Sequence, residues 1–189
     1  MRKVILLEHI TLDGFVAGPQ GEMDWIHIDD EMFDVVGDLT KTADTALYGR
    51  VTYQMMESYW PTAGEQPGAT RHDIEHSNWV NKAKKIVFSR TLKETSWNNT
   101  RIISENINAE IRGLKNKPGE NMLMIGSPGI AQTFMQLKLI DEYWLYLNPV
   151  VLGNGMCLFN DVHEKMNLKL VESKNFNAGV VGLHYSAQI

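Results

Sequence analysis

The chain has 189 residues, 43% of them hydrophobic and 22% charged, with 18 Lys and Arg against 23 Asp and Glu for a formal charge of −5. These proportions belong to a folded globular protein and exclude disordered, collagenous and coiled-coil classes. The mild negative charge gives no general attraction to nucleic acid or to anionic membranes, so neither is expected as a partner.

The length fits one domain, residues 1–189. A single cysteine, Cys157, rules out an internal disulfide and a cysteine-based zinc site, and a lone thiol suits a reducing compartment. The apolar run that begins at Val4 stops at Glu8-His9, too short for a signal peptide core. A cytoplasmic protein is therefore expected.

In chain order, Val4 to Thr11 reads as a buried strand. It leads into a Gly-rich loop from Asp13 to Gly21 that closes at Asp24-Trp25. Asp29 and Asp30 open a helical pattern, with apolar residues at Met32, Val35, Val36, Leu39 and Ala43. A short strand at Ala46 to Tyr48 ends at Gly49-Arg50, and a short helix is predicted from Thr52 to Tyr59. Pro61 to Pro67 reads as a loop and His72 to Lys82 as a helix.

Lys85 to Ser89 and Arg101 to Ile103 read as strands, separated by a short helix at Ala109 to Leu114 from a third strand at Met122 to Ile125. A helix from Ile130 to Leu139 and a long strand from Tyr143 to Val151 follow. Leu168 to Phe176 and Val180 to Tyr185 form a terminal hairpin around Asn177-Ala178-Gly179. Alternating strands and helices predict an α/β fold. It has a mostly parallel central sheet, helices on both faces and an antiparallel C-terminal hairpin.

Ligands of open α/β sheets bind beyond the carboxyl ends of the strands. Three predicted strand ends share a chemistry. Gly49-Arg50-Val51-Thr52 combines a close-approach glycine, a planar cationic fork and a hydroxyl at a helix start. Ser89-Arg90-Thr91 sets two hydroxyls around a second arginine. Gly126-Ser127-Pro128-Gly129-Ile130 opens a helix, with Ser127 expected as its N-cap and Pro128 at the first helical position. Taken alone, each reads more simply as an ordinary loop or capped helix. Jointly they suit a dinucleotide phosphate chain, and arginines beside hydroxyls suit an additional monoester phosphate. NADPH is therefore expected over NADH.

Several stretches together resemble the dihydrofolate reductase-like superfamily, and more closely the reductase (C-terminal) domain of the riboflavin-biosynthesis deaminase-reductase and its stand-alone bacterial relatives. They are Thr11 to Ala17, Gly21 to Trp25, Leu47 to Tyr53, Val87 to Leu92, Gly126-Ser127, Asp141-Glu142 and Pro149 to Gly155. The resemblance implies an oxidoreductase with NADPH along the strand ends and a loop from Gly14 to Trp25 over the nicotinamide. It also implies a homodimer. The substrate would be a small heterocycle, either an aminopyrimidine of the riboflavin pathway or a pterin-like compound. The family's acidic residue falls on Asp30, or on Asp29 if the register slips by one. No deaminase zinc motif is present, which excludes deamination.

Hydride addition to C=N or C=O requires a proton for the substrate heteroatom, and a carboxyl in an apolar pocket supplies one. Asp30 is the expected donor, with Trp25 and Phe33 as an apolar wall, Asp29 beside it and Asp13 as a further carboxylate of the site. Helix capping by Asp29 or Asp30, and a turn role for Asp13, remain open. A non-catalytic NADPH-binding protein is the alternative. A metal-dependent hydrolase built on His72 and His76 is a third reading, although no third ligand is apparent and no metal is expected.

Overall fold

The computed structural model describes residues 1–160 and 162–188. In chain order the strands are β1 (Val4–Thr11), β2 (Phe15–Ala17), β3 (Ala43–Gly49), β4 (Lys84–Phe88), β5 (Thr100–Ile103), β6 (Asn121–Ile125), β7 (Glu142–Asn148), β8 (Met156–Cys157), β9 (Leu168–Asn175) and β10 (Val181–Ala187). The helices are α1 (Asp30–Lys41), α2 (Arg50–Ala63), α3 (Arg71–Lys82), α4 (Ile107–Lys115) and α5 (Pro128–Gln136). Eight strands form one sheet in the order β5-β4-β3-β6-β1-β7-β10-β9. The pairs from β5 to β7 are parallel, whereas β10 runs antiparallel to both β7 and β9. This is the expected α/β architecture, with the antiparallel hairpin at one edge.

Alternation along β1 explains the layers. Val4, Leu6 and Ile10 join Ile111 of α4 and Ala131 and Phe134 of α5 in one apolar cluster. Ile5 and Leu7 point to the other face, into a cluster with Met32 and Leu39 of α1. On that second face α2 and α3 cover β3, packing Tyr53 and Val80 against Ala46 and Tyr48. Burial on both faces is why these central strands read as nearly continuous apolar runs.

Local structure departs from expectation in several places: β7 ends at Asn148 rather than Val151 and α4 begins at Ile107 rather than Ala109. The predicted loop between Asp13 and Gly21 contains β2, which pairs with β8. Ala43 belongs to β3 rather than to the preceding helix, which ends at Lys41. α2 continues through Pro61 to Ala63, because α3 satisfies the carbonyls of its last turn. Ser77 Oγ donates to the Trp60 carbonyl at 2.8 Å and Asn81 Nδ2 to the Pro61 carbonyl at 3.0 Å. α5 stops at Gln136, short of Leu139, and Lys138 takes a left-handed φ of 52° just beyond it.

A cofactor-sized groove at the strand ends

The ends of β4, β3, β6 and β1 lie side by side, so segments far apart in sequence meet along one rim of the sheet. The Gly49 N–H donates to Ser127 Oγ at 3.0 Å, tying the end of β3 to the start of α5. Ser127 is thus the N-cap residue of α5 by position, with φ of 67°, but its side chain bonds across to Gly49 instead of to its own helix. Gly49 is likewise the N-cap of α2 without a side-chain bond. Two helix N-termini lacking side-chain caps therefore open at the same place, an arrangement that favours an anion.

The glycines here make room. A Cβ on Gly49 would stand 3.2 Å from Ile130 Cγ1. Gly126 adopts φ of 66°, a backbone conformation costly for other residues, and a Cβ there would meet Thr52 Cγ2 at 3.7 Å. Beyond β4, Ser89 Oγ accepts from the N–H groups of Thr91 at 3.2 Å and Leu92 at 2.9 Å, which shapes the turn that carries Arg90. Ser89, Arg90, Phe88, Ile103, Asn106 and Ile130 line a cleft of about 470 Å³. Arg90 and Arg50 are both exposed, and Arg50 Nη1 donates to Gln54 Oε1 at 3.1 Å. The residues expected to hold a phosphorylated dinucleotide, Gly49 to Thr52, Ser89 to Thr91 and Gly126 to Ile130, thus share one rim.

The expected substrate and catalytic carboxylates are placed differently. Asp29 is the N-cap of α1: its Oδ1 accepts from the Met32 N–H at 3.1 Å and its Oδ2 from the Ala178 N–H at 3.0 Å. Asp30 is exposed at the first position of α1, and its charge acts on Arg71 of α3. Phe33, expected as part of an apolar wall beside Asp30, stacks on His72 at 4.0 Å. Trp25 is buried, donating from Nε1 to the Glu22 carbonyl at 3.1 Å.

Asp13 accepts from Thr11 Oγ1 at 2.6 Å and from the N–H groups of Leu152 and Gly153 at 3.2 and 2.7 Å. The Thr11 hydroxyl above all holds its carboxyl below the usual range. Asp13 therefore acts as a clamp between two loops and is poorly suited to donating a proton.

His72 and His76 belong to an aromatic cluster rather than to a ligand set. His76 is 4% exposed and packs 4.2 Å from Trp60, and burial pushes its pKa down to about 3. Among the described residues, no group of three or more His, Cys, Asp or Glu side chains could hold a metal ion. No helix there is long and apolar enough to cross a membrane.

Two ionisable residues of β1 went unassigned in the sequence reading. His9 lies 5.0 Å from the Tyr146 ring and 3.3 Å from Asn148 Nδ2, and burial lowers its pKa to about 4. Glu8, on the opposite face, is 7% exposed, and burial raises its pKa to about 8. The signal was present: with a period of two, Glu8 falls in line with Val4, Leu6 and Ile10.

Comparison with known proteins agrees with this architecture. The family model of the RibD C-terminal domain matches residues 2–182. The uncharacterized protein YyaP of Bacillus subtilis (strain 168) is 40% identical over 186 residues, covering 97% of this chain and 94% of YyaP. A second protein of that strain, YwjB, is 28% identical over 97% of each chain.

Among solved structures, a pyrimidine reductase-like protein from Corynebacterium diphtheriae superposes with a TM-score of 0.67 at 12% identity, covering all of this chain and 92% of its own. The Thermotoga maritima diaminohydroxyphosphoribosylaminopyrimidine deaminase/5-amino-6-(5-phosphoribosylamino)uracil reductase superposes with a TM-score of 0.66 at 19% identity, and 57% of that longer chain is covered. At these identities the superpositions speak for the fold alone. The family match over nearly the whole chain and the 40% identity to YyaP carry the assignment: this protein belongs to the RibD C-terminal domain family, with its dihydrofolate reductase-like fold.

Proposed function

We propose that the protein is an NADPH-dependent reductase that transfers hydride to a C=N or C=O group of a small heterocycle. The observation that carries this reading is the meeting of two exposed arginines and two helix N-termini without side-chain caps along one glycine-lined rim. The residues fit the cofactor. Gly49 leaves space that a side chain would fill against Ile130, and the bare Gly126 opens the start of α5. Arg50, Arg90 and the two helix starts would hold the phosphates, and the cleft beside Arg90 has the volume and mixed lining of a nucleoside site.

Bound there, NADPH supplies the hydride; the protein orients it and excludes water. The loop from Gly14 to Trp25, anchored through the β2–β8 pair and the buried Trp25, would cover that site, as family membership implies. An aminopyrimidine is the favoured substrate class, from family membership and the reductase activity named for the Thermotoga protein.

The test is direct titration with NADPH and NADH, followed by optical measurement of NADPH consumption with aminopyrimidines and pterins. Arg50→Ala or Arg90→Ala should weaken NADPH more than NADH, by roughly 1–3 kcal/mol for a lost charged hydrogen bond. Equal weakening of both cofactors would remove the 2′-phosphate from these residues. One observation favours a non-catalytic NADPH-binding protein as a second reading: Asp13 and Asp29 are engaged in structural bonds and Asp30 is exposed. Tight binding without consumption of NADPH across the substrate panel would select it.

A further inference from the structure

Glu8 is a buried acid of β1 whose neighbours leave it uncompensated among the described residues. It makes no hydrogen bond among the described residues, and its Oε2 is sealed from solvent. A buried polar group of this kind is costly unless a ligand or partner completes it.

Among the described residues, no neighbouring charge compensates it. β6 and α5 carry no ionisable side chain, and its partner on β7 is Leu145. Elsewhere on β7, Glu142 bonds Lys3 and His184, Tyr143 joins the core cluster, and Tyr146 donates to the Met32 carbonyl on the opposite face. His9 also faces that opposite side, toward Tyr146. From α2, Arg50 bonds Gln54 and Tyr53 bonds Glu57. From α4, Glu110 pairs with Arg101, Arg112 bonds Asn108, and Lys115 pairs with Asp141. Cys157 of β8 lies against Gly14. Burial alone shifts the Glu8 titration.

The carboxyl approaches the rim at Gly126. A Cβ on Gly126 would stand 4.0 Å from Glu8 Oε1 and 3.7 Å from Thr52 Cγ2, so the acid lies beside the bare glycine that precedes α5. The strand order β4-β3-β6-β1 sets Arg90, Arg50, the start of α5 and then Glu8 in succession along the rim. The first three suit phosphates, whereas the fourth position offers an acid instead of a cation. A dinucleotide lying with its phosphates on the first three would turn its nicotinamide end toward β1. That ring is neutral when reduced and cationic when oxidised.

We propose that Glu8 distinguishes the two redox forms of a bound nicotinamide dinucleotide, keeping its proton beside the neutral ring and releasing it beside the cationic one. The proposal rests on the reading of the groove as a nicotinamide-cofactor site. The free protein then holds Glu8 protonated at neutral pH, NADP⁺ binding expels that proton to solvent, and NADPH binding leaves it in place.

The experiment measures dissociation constants of NADPH and NADP⁺ by calorimetry, across a pH range spanning about 8, for the unmodified protein and Glu8→Gln. The NADP⁺ constant should fall by up to about tenfold per pH unit until about pH 8 and then level. The NADPH constant should stay flat, and both should be flat in Glu8→Gln. A flat NADP⁺ profile in the unmodified protein, or an equal slope in the variant, overturns the proposal while leaving cofactor binding intact. Binding of neither form overturns the groove reading and the proposal together. If Glu8→Gln does not fold, heats measured in buffers of different ionisation enthalpy decide the matter on the unmodified protein. About one proton released per NADP⁺ bound below pH 8 supports it, and none refutes it.

Discussion

Glu8 and Asp13 show how little residue type alone says about charge state. Glu8 lies in the carboxyl half of β1 and Asp13 two residues beyond its end. Asp13 is held ionised by a hydroxyl and two backbone N–H groups, whereas Glu8 is left in an apolar layer and favours its neutral form. Strand alternation already set Glu8 on a buried face, and the Thr11 hydroxyl acts on Asp13 from two residues away, whereas the backbone N–H groups of Leu152 and Gly153 reach Asp13 only through the tertiary fold.

The Glu8 shift is also a statement about stability. Its folded pKa of about 8 exceeds the ordinary 4.5, so its contribution is present in full below about 4.5 and is lost as pH rises through about 8. Glu8→Gln should therefore gain stability over the unmodified protein between those limits, by roughly 3–5 kcal/mol at pH 8. Urea unfolding at about pH 5 and about pH 8 measures it; a difference that does not grow with pH would mean that the carboxyl is solvated.

Among the elements, α1 begins where the sequence signals it, and α3 begins one residue before the expected start at His72. Asp29 caps one, and Thr70 with Asp73 forms a reciprocal box at the other. α2 is the instructive departure. Proline inside a helix removes one bond and crowds the preceding turn, so the sequence predicts a stop before Pro61. The helix nonetheless runs on, because Ser77 and Asn81 of α3 take up carbonyls of its last turn. Asn81 also accepts from the buried Trp97 Nε1 at 2.7 Å. Asn81→Ala strands that donor and should cost roughly 1–3 kcal/mol, read as a lower urea midpoint with an unchanged slope. A near-zero change would show that Trp97 finds water.

Across the whole molecule, buried ionisable groups on both faces of the sheet oppose each other in pH. His9 and His76 have folded pKa values of about 4 and about 3, below the ordinary 6.5. The unfolded chain takes up their protons first, so their contribution is present above 6.5 and is lost as pH falls, at up to roughly 1.4 kcal/mol per unit for each. Glu8 acts in the other sense as pH rises. The three together place their combined maximum near about pH 6.5. A melting-temperature profile should peak there, and in Glu8→Gln the alkaline side should flatten while the acid side persists. Identical profiles for the two proteins would exclude Glu8 as the source.

Apolar periodicity, turn residues and the glycine-arginine strand ends determined the order and kind of most elements, because those signals are local and act within a few residues. Which strand lies beside which was decided only in the tertiary structure. β6 inserts between β3 and β1, and that one insertion brings Gly126 beside Glu8 and Ser127 onto Gly49. The physical reason is that parallel neighbours are joined by long crossovers, so their ends meet through packing of whole layers and not through any short-range pattern. The same packing surrounds one carboxyl with apolar side chains and another with donors.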